Sequence, residues 1–165
     1  MKYREPIILF NLILLLAYFN MSVAEKEKTL AKGRLVLLAL APVDPRSLMQ
    51  GDYMELNYAI ARPEMGSEGD HHGYCVVSID SSNVAHKIRL QKDASPLNAG
   101  EILIKYKVNN HFWRMSMRIG AESYFFEEGM VSKFAKAKYG GLRIDATGNS
   151  ILVGLYDEHF NLLGK

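Results

Sequence analysis

Few residues in this chain combine types and spacing that could do chemistry. Asp70-His71-His72 with Cys75 puts metal-ligand side chains within six positions. A structural zinc site recruits a second ligand pair at set spacing, and none follows here. Adjacent histidines on an extended chain also point to opposite sides, so this glycine-flanked segment reads as a solvated loop. Glu127-Glu128 is a carboxylate pair of the kind that serves acid/base work. Its place at the start of a predicted helix explains it as well, because the positive helix end favours acidic side chains. His86, His111 and His159 stand isolated. These observations assign no catalytic residue, no metal ligand and no cofactor-binding residue.

The most ordered polar stretch runs from Pro42 to Tyr58, with Asp44-Pro45-Arg46 and Gly51-Asp52-Tyr53 between two apolar runs. Two readings fit it. Pro45 and Gly51 set the backbone, Asp44 and Arg46 satisfy it, and Tyr53, Leu56 and Tyr58 pack, which makes the stretch a fold determinant. Alternatively the same residues, Asp44, Arg46, Gly51, Asp52, Tyr53, Leu56 and Tyr58, form a surface that contacts a partner. An enzyme reading has one foothold: Ser47-Leu48-Met49-Gln50-Gly51-Asp52 resembles the active-site segment of signal-peptidase-like serine–lysine proteases. The nucleophile of that pattern falls on Val43, Ser47 occupies the wrong turn position, and no base is identifiable by spacing.

Around this stretch the sequence predicts strands. Arg34 to Ala41 is a short apolar run, and Tyr53 to Ala61 sets Met54, Leu56, Tyr58 and Ile60 on one face. Tyr74–Asp80 and Val84–Gln91 flank Ser81-Ser82-Asn83; Glu101–Val108 and His111–Ile119 flank Asn109-Asn110; Leu142–Ala146 and Ser150–Asp157 flank Thr147-Gly148-Asn149. Trp113, Met115, Met117, Phe125 and Phe126 are assigned to the core by their alternation. A helix is predicted over Glu127 to Lys138, stopped by Gly140-Gly141. The expected fold is a mainly antiparallel β barrel or sandwich with one short helix, behind an N-terminal membrane helix.

That membrane helix is Ile7 to Ala24, uncharged throughout and about 27 Å long as a helix, close to the roughly 30 Å hydrocarbon layer. Lys2, Arg4 and Ser22-Val23-Ala24 also fit a cleaved signal peptide, but the apolar run exceeds the usual signal core, which favours an uncleaved signal-anchor. The organisation is therefore an anchor over 1–24, a charged spacer over 25–32 that either continues the anchor helix or lifts the domain off the membrane, and a globular domain over 33–165. Lys26, Lys28, Lys32 and Arg34 follow the span, and the positive-inside count alone places the domain in the cytoplasm. With 165 residues, a net charge of +2 and no basic block, the chain lacks an electrostatic footprint for nucleic acid. Cys75 is the sole cysteine, so no intramolecular disulfide can form, and it reads as a small buried hydrophobe.

Gly51-Asp52-Tyr53, Leu56 and Tyr58 resemble the signature of the GDYXXLXY family, and Tyr124-Phe125-Phe126-Glu127-Glu128-Gly129, Tyr139-Gly140-Gly141 and Leu152-Val153-Gly154-Leu155 fit it too. The family is defined by its motif and not by an activity. The resemblance implies a membrane-anchored domain outside the cytoplasm, found with multi-spanning membrane proteins. Together these readings predict an accessory binding domain that contacts an integral membrane or envelope partner through the Asp44–Tyr58 region. The alternative is a membrane-anchored hydrolase or peptidase-like β domain with its site at the same turn.

Overall fold

The computed structural model describes residues 4–41, 53–61, 71–111, 114–127 and 129–164. A single helix, α1 (Arg4–Lys32), is followed by β1 (Arg34–Ala39), β2 (Tyr53–Glu55), a 3-10 turn at Ala59–Ala61, β3 (His72–Ile79) and β4 (Ala85–Gln91). Then come β5 (Ile102–His111), β6 (Arg114–Arg118), β7 (Ser123–Phe125), a one-turn helix α2 (Val131–Phe134), β8 (Tyr139–Ile144), β9 (Ser150–Tyr156) and β10 (Leu162–Leu163). The strands form two antiparallel four-stranded sheets, β1-β8-β9-β10 and β4-β3-β5-β6, with β2 and β7 as a separate pair. Leu37 makes a parallel bridge to Val84, and its N–H donates to Asn83 O at 2.8 Å, which joins β1 to the start of β4. Lys105 N–H donates to Gly148 O at 2.9 Å, drawing the β8–β9 turn onto β5. The result is a mainly β half-barrel, within the architecture the alternation predicted.

The core between the sheets is built from the inward faces of these strands. Val36, Leu38, Leu142, Ile144 and Leu155 come from one sheet, and Cys75, Val77, Ile104 and Tyr106 from the other. Met54, Leu56, Tyr58 and Ile60 all enter this core, as their period of two predicted, although only the first three residues of that stretch pair as a strand. Cys75 is fully buried.

Three expectations are corrected. The helix predicted over Glu127–Lys138 shrinks to one turn: Gly129 takes φ 86° before it, and Lys138 N–H donates to Tyr156 O beside β8. Phe134 packs edge-on against Tyr124 and tilted against Phe126, with ring centroids 5.2 Å away in each case. Asn109-Asn110 is not a turn, because the β5–β6 ladder runs on through Asn109↔Ser116, Asn110↔Met115 and His111↔Arg114. Turn propensity is local, and the register of a two-strand ladder overrides it. Phe125, assigned to the core, is 73% exposed on the short β7 strand, while Phe126 packs against the core. Trp113 lies outside the described residues.

Three turns share one design. In Asp80–Val84, Asp145–Asn149 and Asp157–Asn161 the Asp Oδ1 accepts the backbone N–H groups of residues two and four positions on. The fourth residue takes a left-handed conformation: Asn83 φ 63°, Gly148 φ 86° and Phe160 φ 62°. This is the geometry of a type I turn closed by a left-handed residue. At Asp145, partial burial opposes ionisation, but hydrogen bonds from Thr147 and Asn149 outweigh it and hold the carboxyl at about 2. The N–H groups of Val84 and Asn161 likewise lower Asp80 and Asp157. Folded-state values below the ordinary 3.8 mean these carboxylates stabilise the fold above that pH. The contribution is lost as pH falls from about 4 towards 2. Acid titration of the detergent-solubilised chain, followed by circular dichroism, should show thermal stability declining in that window, and Asp145→Asn should flatten the decline.

Candidate functional site

Of the residues singled out by sequence, Asp44, Arg46, Gly51 and Asp52 lie outside the described residues. Tyr53 pairs with Phe125 across β2 and β7; its side chain is not among those described. Leu56 and Tyr58 are buried, each 2% exposed, so these two side chains serve packing and do not reach a partner.

Tyr58 is the better defined. Its hydroxyl donates to Ala121 O at 2.6 Å, across 63 residues of sequence. Burial pushes its phenol well above the ordinary value, and the nearby Glu122 carboxylate adds to the shift. The ring lies against β8: a Cβ placed on Gly140 would sit 2.9 Å from Tyr58 Cε1 and 3.1 Å from its hydroxyl. On the opposite face of the same strand, a Cβ on Gly141 would collide with the ring of Tyr156. The two glycines of Tyr139-Gly140-Gly141 thus each admit one tyrosine ring. Glu122 closes the adjoining turn, where its Oε1 accepts the N–H groups of Ile119 and Gly120.

A second constellation joins α1 to the sheet. Thr29, on the last turns of α1, is 5% exposed, and its hydroxyl lies 3.1 Å from Glu25 O and 3.2 Å from Asp145 Oδ2. Asn149 Nδ2 donates to Asp145 Oδ2 at 2.9 Å, and Lys105 Nζ donates to Asn149 Oδ1 at 2.8 Å. A polar chain therefore runs from α1 through the β8–β9 turn to β5. Gly33 ends the helix, its N–H donating to Thr29 O at 2.8 Å and its carbonyl accepting from Arg143 Nη1 at 2.8 Å. A Cβ there would clash with Thr29 O and lie 3.2 Å from both Arg143 Cβ and Ile144 N. Only glycine fits where the helix axis meets β8.

Two grooves flank these contacts. One, about 720 Å³, lies at the helix–domain junction between Glu25, Lys28, Lys32, Leu97 and the Asp145 turn. The other, about 810 Å³, crosses β3, β5 and β6 beside His72, Lys107, Arg118 and Glu122. Its cations are partly engaged: Arg118 Nε stands 3.6 Å from Glu122 Oε2, and Lys105 is held by Asn149. Cys75 faces the core while His71 and His72 are exposed. Among the described residues no group of three His, Cys, Asp or Glu side chains could hold a metal ion.

Fold and junction define a β half-barrel domain carried on one N-terminal helix that is long and apolar enough to cross a membrane. None of the most apolar stretch of that helix is buried against the domain. The chain belongs to the GDYXXLXY family, whose model, described as GDYXXLXY protein, matches residues 15–155. No curated protein and no solved structure matches the chain.

The sequence reading found Leu56 and Tyr58 by motif but missed their partners Ala121 and Gly140. It also missed Thr29–Asp145, for which only the amphiphilic switch at Glu25 gave a signal. Tyr58→Phe should lower the unfolding free energy by about 1–2 kcal/mol, because it leaves the Ala121 carbonyl without its donor; denaturant titration of the full chain measures it. Gly33→Ala should cost roughly 1–3 kcal/mol of strain at the junction. Limited proteolysis should then cut near Arg34 faster than in the unaltered chain while the β signal in circular dichroism persists.

Proposed function

We propose that this chain is a single-pass membrane protein whose half-barrel, held outside the cytoplasm, binds an integral membrane or envelope partner and does not itself catalyse a reaction. The observation that carries this reading is the uninterrupted helix from Arg4 to Lys32, whose last turn is fixed to the sheet by Thr29, Gly33 and Arg143. The charged residues 25–32 continue the helix, and Thr29 among them is buried at the Asp145 turn, so the domain is presented in one orientation relative to the helix axis. A rigid mount suits recognition of a neighbour in the same membrane, since confinement raises effective concentration without further contacts. Asn20 within the apolar stretch turns one amide N–H back onto its own helix, donating to Leu16 O at 2.8 Å.

Extracytoplasmic placement rests on the short basic N-terminus and the family resemblance, against the positive-inside count. Asp44, Arg46 and Asp52 provide the polar contact in this reading, because Leu56 and Tyr58 are taken up by the core. Purification of the tagged full chain from native membranes in mild detergent, beside Arg46→Ala at matched expression, tests it. One stoichiometric integral membrane protein should accompany the unaltered chain. It should fall at least about tenfold, or 1.4 kcal/mol, with a variant of unchanged melting temperature. Equal recovery with a lowered melting temperature would make the loop a determinant of folding instead.

A further inference from the structure

We propose that the groove at the helix–domain junction is a binding site for the phosphate headgroup of an anionic membrane lipid. This inference rests on α1 spanning the membrane. Three cations line the groove: Lys28 and Lys32, one turn apart on α1, and Arg34 at the start of β1. Among the described residues none of them has a carboxylate or hydrogen-bond partner.

The carboxylates in the same groove are differently placed. Asp145 accepts from Thr29, Thr147 and Asn149 through both oxygens. Glu101 is held by Arg89 at 2.7 and 2.8 Å and by the N–H and side-chain amide of Asn98. Their lone pairs are spent inside the protein, leaving Glu25 as the one groove carboxylate whose side chain has no partner among the described residues. Hydrogen-bonding capacity directed into the groove is thus dominated by donors with positive charge, which suits a phosphate.

Depth selects the source of that phosphate. The apolar run ends at Ala24, so Lys28 and Lys32 stand about 6 and 12 Å further along the helix axis. The headgroup layer is about 5–8 Å deep on each face of a bilayer. Lys28 falls within it, and the long stems of Lys32 and Arg34 let their charged ends turn back towards it. Leu97, 42% exposed on the loop between β4 and β5, lines the same groove and offers an apolar contact beside the headgroup. A groove of about 720 Å³ is ample for a glycerophosphate headgroup.

The test uses the full chain in nanodiscs of phosphatidylcholine containing a minor fraction of phosphatidylglycerol, with retained lipids counted by native mass spectrometry after release into detergent. Phosphatidylglycerol should be enriched on the protein by about tenfold over its share of the bilayer, since basic residues near the surface attract anionic lipid. Lys28→Gln/Lys32→Gln should abolish the enrichment. Lys26→Gln, outside the groove, should preserve it, and Glu25→Gln should increase it. Excess inorganic phosphate should leave the enrichment unchanged; displacement by it would assign the groove to a soluble anion and overturn the lipid assignment. A chain that inserts but retains lipids in bulk proportion would overturn the groove site alone. A chain that fails to enter the nanodisc would overturn the membrane anchor and, with it, this inference.

Discussion

A helix that runs into a sheet domain still has carbonyl groups to satisfy at its end, and much of this chain is arranged around how that end is closed. Gly33 takes the helix to its last hydrogen bond and, lacking a side chain, lets β8 approach closely enough for Arg143 to reach its carbonyl. Thr29 then sits between Glu25 O and Asp145. With α1 fixed to the β8–β9 turn, β1 must leave the helix beside β8, and their antiparallel register from Arg34↔Ile144 to Ala39↔Tyr139 follows. A glycine loop here would have given a tethered, freely turning domain. The docked helix gives a mounted one.

The family motif has a corresponding role at the other end of β8. Tyr58 fills the space that Gly140 leaves, and its hydroxyl reaches the chain just before β7. One side chain thereby links the segment after β2, the outer sheet and the β6–β7 connection. A buried phenol needs a hydrogen-bond acceptor, and Ala121 O supplies it at 2.6 Å. Conformational restraint by glycine and polar satisfaction by tyrosine are one arrangement, which joins Tyr139-Gly140-Gly141 to the second tyrosine of the motif. The motif's first half, Gly51-Asp52, leads into β2 from a segment outside the described residues, which leaves the polar residues there for recognition in the proposed function.

Much of the architecture was legible. Alternation over Met54, Leu56, Tyr58 and Ile60 gave the buried face, and Thr147-Gly148-Asn149 gave a turn. The uncharged run from Ile7 gave the helix able to cross a membrane. Where the reading failed, a local preference met a non-local competitor. Asn109-Asn110 has turn chemistry, but pairing with Ser116 and Met115 kept it extended. Glu127–Lys138 has helical spacing, yet Gly129 at φ 86° precedes the turn and Lys138 N–H pairs with Tyr156 O beyond it, so only Val131–Phe134 is helical.

The sequence by itself determined the class of the fold, the apolar helix, the inward faces of the strands and the exclusion of an intramolecular disulfide, because hydrophobic period, turn chemistry and residue counts are read without the tertiary fold. Tertiary structure decided the partners: Tyr58 with Ala121 at a separation of 63 residues, Thr29 with Asp145 at 116, and Lys28, Lys32 and Arg34 with Leu97 and the Asp145 turn across one groove. Contacts at such separations leave no periodic trace, since they are fixed only when the sheets close on one another and each buried polar group must find a donor or acceptor among whatever the closure brings near.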